Sequence, residues 1–246
     1  MPEHELWVTA LFNQYLAGVG NAILSMVGLH AADPAKPWAN FITMQILVAI
    51  VIIVLFAVLR SSISMDRPGK LQHIFEVVYD FLHGQTEEII GHQGPHYIHM
   101  VGTLFLFILF CNLIGIIPTF ESPTMFVEVP LGCAMAAFLY YNLMGIYAQG
   151  AVGHLKHFLG PVWWLAPIML PIEIVSHFAR PLSLTIRLFA NMFAGEQVTI
   201  VFLGLVPLVI PVIFMGLHVF VSFLQAYIFV LLTMVYVAGS VAHEEH

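Results

Sequence analysis

Between Trp163 and Leu205, a stretch otherwise fit for lipid carries Glu173, His177, Arg180, Arg187, Asn191 and Glu196. A charge at mid-membrane costs about 2.5–3.5 kcal/mol even on lenient insertion scales, so each needs a partner, a wet cavity or a task. Arginine keeps its proton and presents five donors, which makes Arg187 a fixed positive charge that cannot relay a proton. Glutamate and histidine exchange protons once their surroundings bring the pKa near working pH. The residue types therefore divide the labour: Glu173, Glu196 and His218 as exchangeable sites, with Arg187 as an electrostatic gate between them.

Spacing supports this division. At about 100° per residue, Glu173, Ser176, Arg180, Ser183, Arg187, Asn191 and Ala194 fall within one sector of a helix, and Glu196 points to the opposite side. In the last apolar segment His218, Ser222, Gln225 and Tyr236 share a face, which is expected to meet a partner rather than lipid. Plainer readings stand beside these: a snorkelling arginine at 187, a static buried pair of Glu196 and His218, Glu173 as a helix-end carboxylate, and serines 176, 183 and 222 as small packing residues.

The elements that position these residues follow from composition. The chain has 246 residues, 60% hydrophobic and 9% charged, whereas soluble domains run near a quarter charged. One all-α integral membrane domain is expected, with about five transmembrane helices and an interfacial amphipathic helix. Residues 1–40 form an external N-terminal segment whose apolar part, Leu6 to Leu24, lies at the surface. Residues 41–59 make the first span. Residues 68–93 place Ile74, Val77, Val78, Phe81 and Leu82 near helical spacing among acidic residues and lie in the interface. Spans follow at 98–117, ended by Pro118, and at 130–149, ended near Gly150. The segments 163–205 and 206–240 exceed the ~30 Å needed to cross, so they tilt or kink, with Pro167, Pro171, Pro181 and Pro211 as kink sites. Arg60, Arg67, Lys70 and Lys156 fall on one side and Lys36 on the other, which places the N-terminus outside and the C-terminus in the cytoplasm.

The net charge of −7, with 7 Lys and Arg and no basic stripe, excludes a nucleic-acid partner. Cys111 and Cys133 sit in apolar segments as small buried side chains. No phosphate-cradling loop, nucleophile elbow or zincin pattern is present, so no catalytic residue, cofactor or metal is expected.

The run RPLSLTIRLFANMFAGE from Arg180 to Glu196 resembles the signature of subunit a of F-type ATP synthases. Three further stretches are similar in order and spacing: FCNLIGIIP from Phe110 to Pro118, EIVS from Glu173 to Ser176, and the run from His218 through Gln225 to Tyr236. The resemblance covers most of the chain after Phe105. It implies a proton-channel stator subunit in a bacterial inner membrane, partnered by the c-subunit ring, the b-subunit peripheral stalk and the remaining ATP synthase subunits. It implies that Arg187 faces the ring carboxylate and keeps two half-channels apart, one passing Glu196 and His218, the other Glu173 and Ser176. Gln225 would help to position Arg187, and Asn191 would line the same path. Residue 115 is glycine where some members carry an acid, so the outer half-channel is expected to rely on Glu121 or Glu128.

Two other classes compete. His92, His96 and His99, with His154 and His157, have the look of a membrane di-iron hydroxylase or desaturase, although Gly94 and Pro95 interrupt the helix that should order the first three. A stand-alone transporter is the other, weakened by the lack of an internal repeat.

Overall fold

The computed structural model describes residues 5–26, 28, 33–64, 68–117, 119–157, 166–205 and 210–241; for 151–157, 166–168, 203, 205, 210 and 211 it describes the backbone alone. Pro118 and Arg67 lie outside the described residues, as do 163–165 and 206–209 at the starts of the two long segments. Among the described residues seven α-helices follow one another: α1 Trp7–Met26, α2 Asn40–Ser62, α3 Lys70–Ile90, α4 Ile98–Ile114, α5 Glu128–His157, α6 Ala166–Leu205 and α7 Ile210–Val241. Short 3₁₀ turns at Gly94–Tyr97 and Pro123–Met125 precede α4 and α5. The protein is an all-α integral membrane protein. Four stretches of the described residues are long and apolar enough to cross a bilayer: Asn40–Ser62, Gly94–Ile114, Glu128–Gly150 and Val212–Val241. The charged α6, with 40 residues, reaches about 60 Å.

In lipid, apolar side chains gain little by leaving their surroundings, so close packing of small residues and buried hydrogen bonds must hold helices together. The core follows that rule. Ala134 and Ala137 of α5 and Ala226 of α7 are buried and let the helices approach around Phe105, Ile108, Leu188, Met192, Phe229 and Met234. Leu82 of α3 closes this cluster, and a smaller one joins Tyr97, Tyr141, Val237 and Val241. Ser240 and Gln149 tie α7 to α5 through backbone carbonyls at 3.1 Å. The first span, α2, lies at the rim and buries its early residues Asn40, Thr43, Met44 and Val48.

Two boundaries differ from the sequence expectation. First, α4 ends at Ile114, ahead of the proline, because the chain turns sharply at Gly115. A Cβ there would stand 2.9 Å from the Cβ of Ser122. Ser122 Oγ donates to the carbonyl of Cys111 at 2.8 Å, which satisfies an acceptor that the helix end leaves open. Second, α5 continues to His157 after a break at Gly150, whose φ of 74° suits glycine. Pro167 and Pro211 lie where the described parts of α6 and α7 begin, next to 163–165 and 206–209, which lie outside the described residues. Pro171 and Pro181 lie inside α6 and the helix runs through both.

The N-terminal helix docks on the start of α2. Thr9 and Thr43 share a hydroxyl hydrogen bond of 2.7 Å. The Trp38 N–H donates to Asn13 Oδ1 at 3.0 Å, and Lys36 pairs with Glu5. Lys36 and the Asn13 amide hold the Glu5 carboxyl below its ordinary range. A group whose folded pKa is lowered contributes stability above its unfolded pKa and loses it as pH falls through the folded value. The protection of the Trp38 amide from hydrogen exchange, relative to an unfolded amide at the same pH, should therefore stay high near neutral pH and fall as pH drops below the carboxylate range, while Glu5→Gln should remove that acid dependence.

Candidate functional site

Helix α6 presents two faces. His177, Pro181, Leu184, Thr185, Leu188 and Met192 are buried, a helical repeat that turns toward α5 and α7. The Thr185 hydroxyl donates to the Pro181 carbonyl at 2.8 Å. Ser176, Ser183, Arg187, Asn191 and Ala194 are exposed on the other side, flanked by Leu182, Ile186 and Phe193. The stripe expected from spacing thus points away from the core of this chain. Among the described residues Arg187 has no ion-pair partner.

At one end of the stripe, Arg180 meets Glu173 at 3.6 Å and stands 5.3 Å over the Tyr236 ring. Tyr236 in turn contacts Tyr141 at 5.9 Å between ring centroids. His177 packs between Phe138 and Tyr141 at 4.8 and 5.7 Å. Tyr236 therefore joins Glu173, not the His218 group with which its spacing associates it. Ser176 is exposed and outside this cluster.

At the other end, α6 and α7 enclose a cavity of 510 Å³ lined by Asn191, Gly195, Thr199, Phe214, His218 and Gln225. Asn191 Nδ2 donates to Gln225 Oε1 at 2.8 Å. Gly195 matters here because a Cβ would already lie 3.4 Å from His218 Nδ1, and a larger side chain would fill the space. Glu196 is half-buried beside it. His218 Nε2, Ser222 Oγ and Gln225 Nε2 are buried without a hydrogen-bond partner among the described residues. Each such atom costs about 1–3 kcal/mol unless something polar reaches it, so this end of the molecule suits water.

The polar line on α7 proves to face inward. Ser222 and Gln225 are buried against the chain itself, not against a partner. Asn112 of α4 explains why: its Nδ2 donates to the Ser222 carbonyl at 3.3 Å, while its Oδ1 accepts from Thr124 at 2.7 Å. Ser122 and Thr124 share a further hydrogen bond of 2.8 Å. Asn112 was legible only as part of a similar motif, and no role attached to Tyr141 or His177. Their signal is burial of a polar group in an apolar helix, which spacing does not reveal.

Relative to this frame, Arg187 lies 14 residues after Glu173 and 9 before Glu196, about 21 and 14 Å along the axis. The structure gathers Asn191, Gln225 and His218 in one group and Glu173 and Tyr236 in another, with Arg187 between. Among the described residues no three His, Cys, Asp or Glu side chains gather as metal ligands; the side chains of His154 and His157 lie outside those described.

The sequence model of the family described as ATP synthase A chain matches residues 41–238. ATP synthase subunit a of Solibacter usitatus is 66% identical over 234 residues, covering 95% of this chain and 100% of that one. The subunit of Koribacter versatilis is 52% identical over 98% of each chain. That of a Sulfurihydrogenibium species is 41% identical over 83% of this chain and 98% of its own.

The hydrogen-bonded knot at Asn112 carries a stability prediction. Replacing Asn112 by Leu leaves the Thr124 hydroxyl and the Ser222 carbonyl without their partner and should cost about 1–3 kcal/mol. A lowered thermal midpoint of the detergent-solubilised protein would register it.

Proposed function

The chain belongs to the ATP synthase A chain family, subunit a of the F-type enzyme's membrane sector, and on that premise we propose that it is the non-catalytic proton-conducting stator of its complex. Membership in that complex and a multi-pass place in the membrane go with the family. The finer reading is that Arg187 separates two half-channels that load and unload a carboxylate on the c-subunit ring. The path on one side uses Glu196, His218, Asn191 and Gln225, and on the other Glu173, Ser176 and Tyr236.

One observation carries this reading: an arginine in the middle of α6, exposed among apolar neighbours and without an ion-pair partner among the described residues. A permanent cation in hydrocarbon requires an anion, and a helix face turned outward must receive it from another chain. A carboxylate arriving on a ring meets that need. Beside Arg187 it is driven to its ionised form and releases its proton. Past Arg187 it enters a region where the buried, unpartnered nitrogens of His218 and Gln225 favour water, and there it can be loaded again. Direct hopping between the two sides is blocked because the guanidinium neither gives nor takes a proton at working pH.

The b-subunit stalk would hold the subunit still against ring torque. In this reading the subunit sits in a bacterial inner membrane with Arg60, Lys70 and the C-terminus on the cytoplasmic side and the N-terminus outside. Both remain parts of the same proposal.

The test is ATP-driven acidification of inverted vesicles carrying the assembled enzyme, native against Arg187→Ala. Pumping should vanish in the variant while the soluble part still hydrolyses ATP and the complex assembles in equal amount. Unchanged pumping would remove Arg187 from the mechanism.

A further inference from the structure

We propose that Tyr227 is a positioning residue: through Gln85 of α3 it fixes the setting of α7 against α6, and with it the places of His218 and Gln225 in the proton path. The inference rests on the stator reading above. Tyr227 donates its hydroxyl to Gln85 Oε1 at 2.8 Å, and its ring meets Phe81 of α3 at 5.4 Å between centroids. Phe81 and Gln85 are one helical turn apart and share a face of α3. Tyr227 is thus seated between them by a ring contact and a hydrogen bond at once.

Where this contact falls on α7 decides what it does. At about 100° per residue, Tyr227 points about 180° from His218 and about 160° from Gln225. His218 and Gln225 meet Gly195 and Asn191 of α6, and α3 grips α7 from behind. Gln225 and Tyr227 stand about 3 Å apart along the axis. The bond from Asn191 to Gln225 and the bond from Tyr227 to Gln85 therefore act on opposite faces of one turn. Two such anchors oppose rotation of α7 about its axis, which one alone does not. Farther along, Asn112 of α4 holds the Ser222 carbonyl and Ser240 holds the Tyr141 carbonyl of α5.

A grip of this kind works only if α3 is itself held. Leu82 is buried in the core that Phe229 and Val230 of α7 share. Thr86 is fully buried, and its carbonyl lies so close to Gly94 that a Cβ there would stand 2.2 Å away, so the turn leading into α4 clamps the end of α3. The Gln85 amide donates to Glu88 Oε2 at 3.3 Å, which leaves Oε1 to Tyr227. Apolar burial does little to hold helices together in lipid, so a hydrogen bond between them carries weight. Proton transfer needs donor and acceptor within about 2.6–3.2 Å, or one water between them. A small swivel of α7 at His218 is enough to slow it, and α3 supports the path without lending it a residue.

The experiment measures passive proton flow through membrane vesicles from which the soluble part has been stripped, normalised to assembled complex. Tyr227→Phe keeps the ring against Phe81 and should lower flow about threefold, the size of an average interhelical hydrogen bond in a membrane. Gln85→Leu should lower it to the same extent and the double variant no further, because both remove one interaction. Gln85→Glu retains the accepting oxygen and should conduct as the native chain does. A second measurement combines Gly195→Cys with His218→Cys in the assembled enzyme. A Cβ at 195 would stand 3.4 Å from His218 Nδ1, close enough for a disulfide on mild oxidation, and adding Tyr227→Phe should slow its formation about threefold. Native flow in Tyr227→Phe, equal loss in Gln85→Leu and Gln85→Glu, or a disulfide between 195 and 218 that forms as fast or faster would overturn the assignment. The disulfide does not depend on proton flow, so it judges Tyr227 alone; if Arg187→Ala pumps, the stator reading itself has failed.

Discussion

A guanidinium cannot lose its charge to escape an apolar setting, and much of the molecule can be understood from what that forces on α6. One face of this helix is apolar and locked to α5 and α7 by Leu184, Leu188 and Met192. The opposite face holds Arg187 outward, among Leu182, Ile186 and Phe193. Such an arrangement is poor for an isolated chain and sensible for a subunit whose counter-charge is supplied by a neighbour. The cost of the exposed cation is the reason to expect a mobile carboxylate opposite it.

The two polar clusters on either side of Arg187 differ in character. Around Glu173 the carboxylate faces Arg180, whose guanidinium also lies over the Tyr236 ring. Beside His218, Ser222 and Gln225 are buried, and His218 Nε2, Ser222 Oγ and Gln225 Nε2 find no hydrogen-bond partner among the described residues. A region left with unpartnered donors and a cavity of 510 Å³ admits water at modest cost. The asymmetry fits a path with a wet pocket on one side and a paired carboxylate on the other.

Much of this was legible from residue types and spacing. The outward stripe through Arg187 follows from a helical period applied to Glu173, Arg180, Asn191 and their neighbours, and α2 and α3 follow from an uncharged run and an amphipathic one. What spacing does not give is which face of a helix the chain buries against itself. Ser222 and Gln225 read as facing a partner because period alone cannot distinguish a neighbour within the chain from one outside it, and Asn112, 110 residues before Ser222, decides the matter. Tyr236 joined Glu173 for the same reason: the choice is made by Arg180 across the helix pair. The early end of α4 depends on contact between Gly115 and Ser122, which no local propensity encodes.

The central claim is that the exposed stripe of α6 receives a ring helix, and site-directed crosslinking tests it most directly. Ser183→Cys lies one turn before Arg187 on the exposed face, and the assembled enzyme would be oxidised with cysteines placed in turn along the ring subunit and the stalk subunit. The account predicts disulfides from position 183 to the ring helix beside its carboxylate and none to the stalk. Crosslinks to the stalk alone would contradict it and turn the Arg187 face toward a different partner.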